Sequence, residues 1–135
     1  MGGINVAKVK SWDELKSIRQ KAQDDAVGKS DEWVVVVGMA TCCAAAGADQ
    51  VLDVINEGVK KEGLSNVKVI QTGCYGNCYA EPVVEVRKGT DAPGTGTRYG
   101  YVDVARAQEI VDKHLKHGEI IKEALVGQDQ EVYIP

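Results

Sequence analysis

No stretch of this sequence approaches the roughly 20 consecutive apolar residues that a membrane-spanning helix needs. Residues 1–10 are short and of mixed character, without the apolar centre of a secretory leader. Val6 stands where an amino-terminal acylation signal wants Ser or Thr. Basic charge is also scarce. Lys and Arg number 16 against 20 Asp and Glu, for a formal net charge of −4, and they are dispersed along the chain. Binding to a phosphate backbone requires a basic stripe, so this balance argues against nucleic acid as a partner. No Gly-rich phosphate loop follows a strand, which argues against a nucleotide or flavin site of the chain's own. No Ser-His-Asp set or carboxylate pair stands out, so a substrate-converting active site is unsupported. Internal repeats and low-complexity tracts are absent. What remains is a 135-residue chain, about one domain's worth, expected to be soluble and cytoplasmic. Thiols are kept reduced there, and clustered cysteines suggest metal or redox chemistry before a structural disulfide.

The residues that are present read as alternating elements. Ser11 with Glu14 three residues later is a capping arrangement, and Trp12, Leu15, Ile18 and Ala22 come after it at helical spacing. The narrow stripe predicts a helix that lies on a surface or grips a partner, within an amino-terminal arm of residues 1–32 that ends in the polar "GKSDE". "WVVVV", closed by Gly38, predicts a strand buried on both faces. "AAAGADQVLDVINEGVKKEG" sets Val51, Leu52, Ile55 and Val59 on one side of a helix of about four turns, stopped by Gly63. "NVKVIQTG" predicts a second strand, joined to the first by a right-handed parallel crossover. Pro82 opens "PVVEV", a third strand, and the Gly/Thr-rich "RKGTDAPGTGT" loops to a fourth in "RYGYVD", making an antiparallel hairpin. Asp103 caps "VARAQEIVDKHLKHG", a helix with Val104, Ala107, Ile110, Val111, His114 and Leu115 on one side and Gly118 as its stop. Residues 119–135 carry no clear period and are expected to be a tail. The fold class is α/β: a thioredoxin-like, mixed four-stranded sheet with flanking helices over residues 33–118, preceded by the helical arm.

This topology makes the four cysteines informative. Cys42 and Cys43 come after the first strand, and Cys74 and Cys78 after the second. Parallel neighbouring strands deliver both loops to one edge of the sheet, where ligand sites of open α/β sheets form. Three chemistries suit four converging thiols. Tetrahedral zinc wants paired ligands from two knuckles, and adjacent cysteines make a poor knuckle. A redox dithiol of Cys74 and Cys78 is spaced one residue too long for C-x-x-C and sits after the wrong strand. A [2Fe–2S] cluster needs four thiolates, two per iron, and Gly38, Gly47, Gly73 and Gly76 let backbone N–H groups approach its sulfurs. His114 and His117, three apart near a helix end, are weaker metal candidates, and their charged form would complement the helix dipole. Tyr75, Asn77 and Tyr79 are read as exposed turn residues, and Glu81 before Pro82 as a residue that fixes the loop.

"VVVVGMATCCAAAGADQVL", "VIQTGCYGNCYAEPVVEV" and "YGYVDVARAQEIVDKHLKHG" resemble the thioredoxin-like [2Fe–2S] ferredoxins, T-G-C-x-G-x-C followed by E-P being the most specific part. "VKSWDELKSIRQKAQ" resembles the small B subunit of NADP-reducing iron hydrogenases, and related domains occur in a small subunit of respiratory complex I. The resemblance implies an electron-carrying subunit with a [2Fe–2S] cofactor, ligated by Cys74 and Cys78 and by the first loop. Family members separate their first two ligands along the chain, whereas Cys42 and Cys43 are adjacent. The "AAAGA" after Cys43 matches the residues after the usual second ligand, while the small hydrogenase subunits carry their cysteine at the position of Cys42. All four, Cys42, Cys43, Cys74 and Cys78, are taken as cluster ligands. Implied partners are flavin- and NAD(P)H-binding subunits and iron–sulfur or hydrogenase subunits of a multisubunit complex, with a homodimer as a further assembly. The rival readings are a docking subunit with an incomplete cluster site and a C-x-x-x-C thiol-redox protein.

Overall fold

The computed structural model describes residues 8–26, 31–92 and 94–126. The acylation expectation at Val6, residues 28–30 of the polar break and the segment 127–135 thus lie outside the described residues.

The sheet is built around β1 (Trp33–Gly38), whose β-branched valines suit a strand covered on both sides. Val34 to Val37 are all 6% exposed or less. β1 runs parallel to β2 (Val67–Thr72), from Trp33 opposite Val67 to Gly38 opposite Thr72. It runs antiparallel to β3 (Val84–Lys88), which in turn pairs with β4 (Thr97–Tyr99), giving the order β2-β1-β3-β4. The third strand begins two residues after Pro82. That proline has no N–H to give to a ladder, and its carbonyl instead accepts from Val102 N at 3.1 Å.

Period-2 alternation divides the strands between two faces. Val35, Val37, Val84, Val86 and Tyr99 share one face with Val51, Ile55, Ile110, Val111 and Leu115 from the helices, and together they form the core. Burial of each such aliphatic side chain contributes about 1.5–3 kcal/mol. Two short helices and a long one flank the sheet. α2 (Thr41–Ala45) carries the cysteine pair and α3 (Ala48–Lys61) packs on the core. α4 (Val104–Glu109) continues in a wider π-helical stretch, Ile110–Leu115. Asp103 caps α4, its side chain accepting from Arg106 N at 2.7 Å, and Gly118 (φ +73°) closes it. Val104, expected on the buried side, is 47% exposed, because it occupies the first turn, at the rim of the core.

The helix of about four turns expected after the cysteine pair is α3, and the pair itself sits on a short helix that was not expected. α2 is separated from α3 by Gly47 at φ +94°, a left-handed conformation that glycine reaches without steric cost. Residues 120–126 return to the sheet. Ile121 and Ala124 are buried, Leu125 bridges Tyr99, and Val126 N donates to Arg98 O at 2.9 Å. α1 (Trp12–Ala26) is capped as expected at Glu14 N, which donates to Ser11 Oγ at 3.2 Å. Glu14 accepts in return from Lys10 N. Its apolar stripe is open, with Trp12 68%, Ile18 50% and Leu15 44% exposed.

Candidate metal centre

Parallel pairing of β1 and β2 brings the two cysteine loops together. Met39 N donates to Thr72 O at 2.8 Å, so the chain leaves both strands at the same sheet edge. Consecutive residues on a helix point about 100° apart. On α2 that rotation leaves Cys42 exposed and turns Cys43 inward, to 1% exposure. Gly38 makes the approach feasible, since a Cβ there would meet Cys43 Sγ at 3.3 Å and Gly73 O at 3.5 Å.

The second loop curls back through Gly76 (φ +82°), whose N–H donates to Cys74 Sγ at 3.3 Å. Cys78 then opens a single 3₁₀ turn, Cys78–Ala80, closed by Ala80 N donating to Asn77 O at 2.9 Å. Cys74 and Cys78 sulfurs lie 3.4 Å apart. The turn delivers Glu81 to the middle of the cysteines. Its Oε1 accepts from Cys42 Sγ at 3.1 Å, Cys43 Sγ at 3.2 Å and Cys74 Sγ at 3.3 Å. The donor atoms of Cys42, Cys74, Cys78 and Glu81 all lie within 4.8 Å of one another.

No family model matches the chain. It is 32% identical over 117 residues to the NADP-reducing hydrogenase subunit HndB of Solidesulfovibrio fructosivorans, covering 87% of this chain and 90% of that one. The chain belongs to the thioredoxin-like [2Fe–2S] ferredoxin family. A 2Fe-2S ferredoxin of Clostridium pasteurianum is 31% identical over 81 residues, 59% of this chain and 74% of its own. A crystal structure of the thioredoxin-like [2Fe-2S] ferredoxin from Aquifex aeolicus superposes with a TM-score of 0.62 at 26% identity, covering 73% of this chain and 99% of that one.

In this ferredoxin-family chain three of the thiols share one carboxylate oxygen. The hydrogen bond to Glu81 raises the pKa of Cys42. Burial first, and Glu81 second, push Cys43 up to about 12. The neighbouring Cys74 and Cys42 push Cys78 up to about 12. Glu81 itself is held below the usual carboxylate range, chiefly by the Cys42 hydrogen bond. The arrangement is one negative charge solvated by thiols. A metal centre reverses it, because its positive charge turns the coordinating thiols into thiolates. Soft thiolates gathered within a few ångströms fit an iron–sulfur centre, and the Gly76 N–H already points at the Cys74 sulfur.

Behind the second loop lies a polar group that reading the sequence missed. Arg98 stacks over the Tyr75 ring at 4.8 Å and donates to Asn77 Oδ1 and Gly94 O, each at 3.4 Å. Glu85 Oε1 accepts from Gly94 N at 3.1 Å and Gly96 N at 3.3 Å, and Arg87 Nε lies 3.8 Å from that oxygen. Burial, and then the Glu85 carboxylate, raise the pKa of the Tyr75 hydroxyl. Asn77 is buried and Tyr75 half-buried, so of the three residues read as exposed turn positions only Tyr79, at 59%, is open to solvent. The signal available was the alternation of charge with valine in "VVEVRK", which puts Glu85 and Arg87 on the sheet face opposite the helices.

The histidines form no site together. His114 is 3% exposed in the core, its Nδ1 2.6 Å from the Tyr99 hydroxyl and its ring edge-on to Trp33 at 5.1 Å. Burial lowers its pKa to about 4, so it is neutral and gives α4 no dipole-complementing charge. His117 is exposed near the helix end.

Proposed function

We propose that this chain carries a [2Fe–2S] cluster between its two cysteine loops. There it relays single electrons within a multisubunit complex, between a flavin- and NAD(P)H-binding subunit and the iron–sulfur or hydrogenase subunits. The observation that carries this reading is the convergence of thiols from two separate loops on one point, 3.1–3.3 Å from Glu81 Oε1. The likeness to a subunit of an NADP-reducing hydrogenase supports the assignment to a complex, which we place in the cytoplasm. Among the described residues no helix is long and apolar enough to cross a membrane.

A bound cluster supplies reversible one-electron chemistry, with a potential set by hydrogen bonds to its sulfurs and by exposure to solvent. The chain's own residues do the holding and tuning. Cys42 on α2 and Cys74 and Cys78 on the second loop supply thiolates, and Cys43 lies directly behind Cys42 as the remaining candidate of the four. The Gly76 N–H offsets charge at Cys74. Arg98 clamps Tyr75 and Asn77 from behind, so that the loop keeps its shape as the charge of the site changes. Cys42, Cys74 and Cys78 are exposed, which leaves a short path to a docked partner. The open stripe of Trp12, Leu15 and Ile18 on α1 offers that partner an apolar contact.

The 3.4 Å separation of Cys74 and Cys78 favours one second reading, a thiol-redox protein that cycles between dithiol and disulfide. Elemental analysis separates the two. Anaerobically purified protein is expected to contain about two irons and two acid-labile sulfides per chain. A colourless, iron-free protein with titratable thiols would sink the cluster.

A further inference from the structure

The geometry points to Glu81, and not Cys43, as the fourth ligand of the cluster, giving a site of three cysteines and one carboxylate. The inference rests on the cluster assignment above and concerns only which atoms complete it.

Three observations converge. Glu81 Oε1 is the atom around which the site is organised, accepting from thiols of both loops. The compact donor set, with every pair within 4.8 Å, consists of Cys42, Cys74, Cys78 and Glu81. Cys43 belongs instead to the hydrophobic core. It is 1% exposed, in one cluster with Val37, Val51 and Val84, and its sulfur lies against the backbone of Gly38. Consecutive positions on α2 diverge by about 100°, so one of the adjacent pair turns toward solvent and the other toward the core. Cys43 touches the site only through its 3.2 Å contact with Glu81 Oε1 and is not one of the four donors that lie within 4.8 Å of one another.

Chemistry permits the exchange. A carboxylate carries the same single negative charge as a thiolate, so three thiolates and Glu81 leave the total charge of the cluster unchanged. On assembly Cys42, Cys74 and Cys78 each release a proton to solvent, and Glu81, already ionised, releases none. Cys43 stays a thiol at the edge of the core, its sulfur 3.2 Å from Glu81 Oε1. Placement helps as well. Glu81 leaves the 3₁₀ turn in extended conformation (φ −69°, ψ 151°) between the fully buried Ala80 and Pro82, whose ring limits the backbone.

X-ray absorption at the iron edge of the anaerobically purified full-length chain tests the assignment without mutation. One protein oxygen bonded for every two irons is expected, and iron surrounded by sulfur alone would overturn it. Variants give an independent reading, with circular dichroism to check the fold. Cys43→Ala is expected to keep about two irons and two sulfides per chain and a reduced-form paramagnetic signal of full intensity, its line positions shifted by loss of the thiol contact to Glu81. Glu81→Ala is expected to lose most of its iron. Glu81→Cys in the Cys43→Ala background is expected to regain a cluster, with stronger sulfur-to-iron absorption and iron bonded to sulfur alone. Loss of iron from Cys43→Ala, whatever Glu81→Ala does, contradicts the assignment, as does a Glu81→Ala protein with wild-type iron and spectrum. A wild-type chain without iron would overturn the cluster itself, a failure distinct from that of the ligand set.

Discussion

His114, enclosed between Trp33 and Tyr99, must be neutral in the folded chain, since burial lowers its pKa from 6.5 to about 4. A pKa depressed by folding stabilises the protein above the unfolded value, and that stability is lost as pH falls toward the folded one. Urea unfolding is therefore expected to show about 2 kcal/mol less stability near pH 5 than near pH 7.5, and a His114→Gln variant is expected to lack most of that slope. Retention of the full slope in the variant would assign it to other groups. Tyr99→Phe probes the same contact differently. It strips a partner from His114 Nδ1 and from Ile121 N, both in the core, at an expected cost of about 1–3 kcal/mol in the same assay. At the metal centre, Cys74→Ser and Cys78→Ser are each expected to abolish the cluster signal while the far-ultraviolet dichroism stays native, because both side chains are exposed and support no core. The cysteines were legible in the sequence because their residue type is rare and their spacing tracks the strands. The role of Glu81 was not. One carboxylate among 20 acidic residues has no signature of its own, and only the 3₁₀ turn after Cys78 aims it at the thiols.

At the scale of elements, the strands, their order along the chain and the two caps, at Ser11 and Asp103, could be read from pattern, because β-branched runs and capping side chains act locally. The division of α2 from α3 could not. "AAAGADQ" is strongly helical in composition, and it is the left-handed Gly47 that breaks it, leaving the cysteines on a short helix of their own. The return of residues 120–126 to β4 was equally hidden, since its contacts are with Tyr99, Gly100 and Arg98, distant in sequence. The β3–β4 hairpin makes a test of how the loop is held. A Cβ on Gly96 would sit 2.6 Å from Val86 O and 2.6 Å from Arg87 Cβ, neither of them the far end of a flexible side chain. Gly96→Ala is expected to destabilise by about 1–3 kcal/mol in urea unfolding, an overpacking cost. It should also weaken the Gly96 N–H contact to Glu85 that braces the second cysteine loop from behind.

For the molecule as a whole, fold and function meet at one sheet edge. Two parallel strands deliver two loops, and a side chain of the β3–β4 hairpin in the same sheet supports one of them. A ligand bound only by the folded chain adds to its stability by mass action. Removing the iron with a chelator is therefore expected to lower the thermal midpoint, and an unchanged midpoint would argue that the loops hold nothing. Whether the chain moves electrons singly is read by a potentiometric titration followed by low-temperature paramagnetic resonance. A single-electron carrier gives a reversible wave of about 59 mV per decade, with a paramagnetic signal growing toward one spin per chain on reduction. A diamagnetic couple of about 30 mV per decade, two electrons, with loss of free thiols on oxidation, would contradict it.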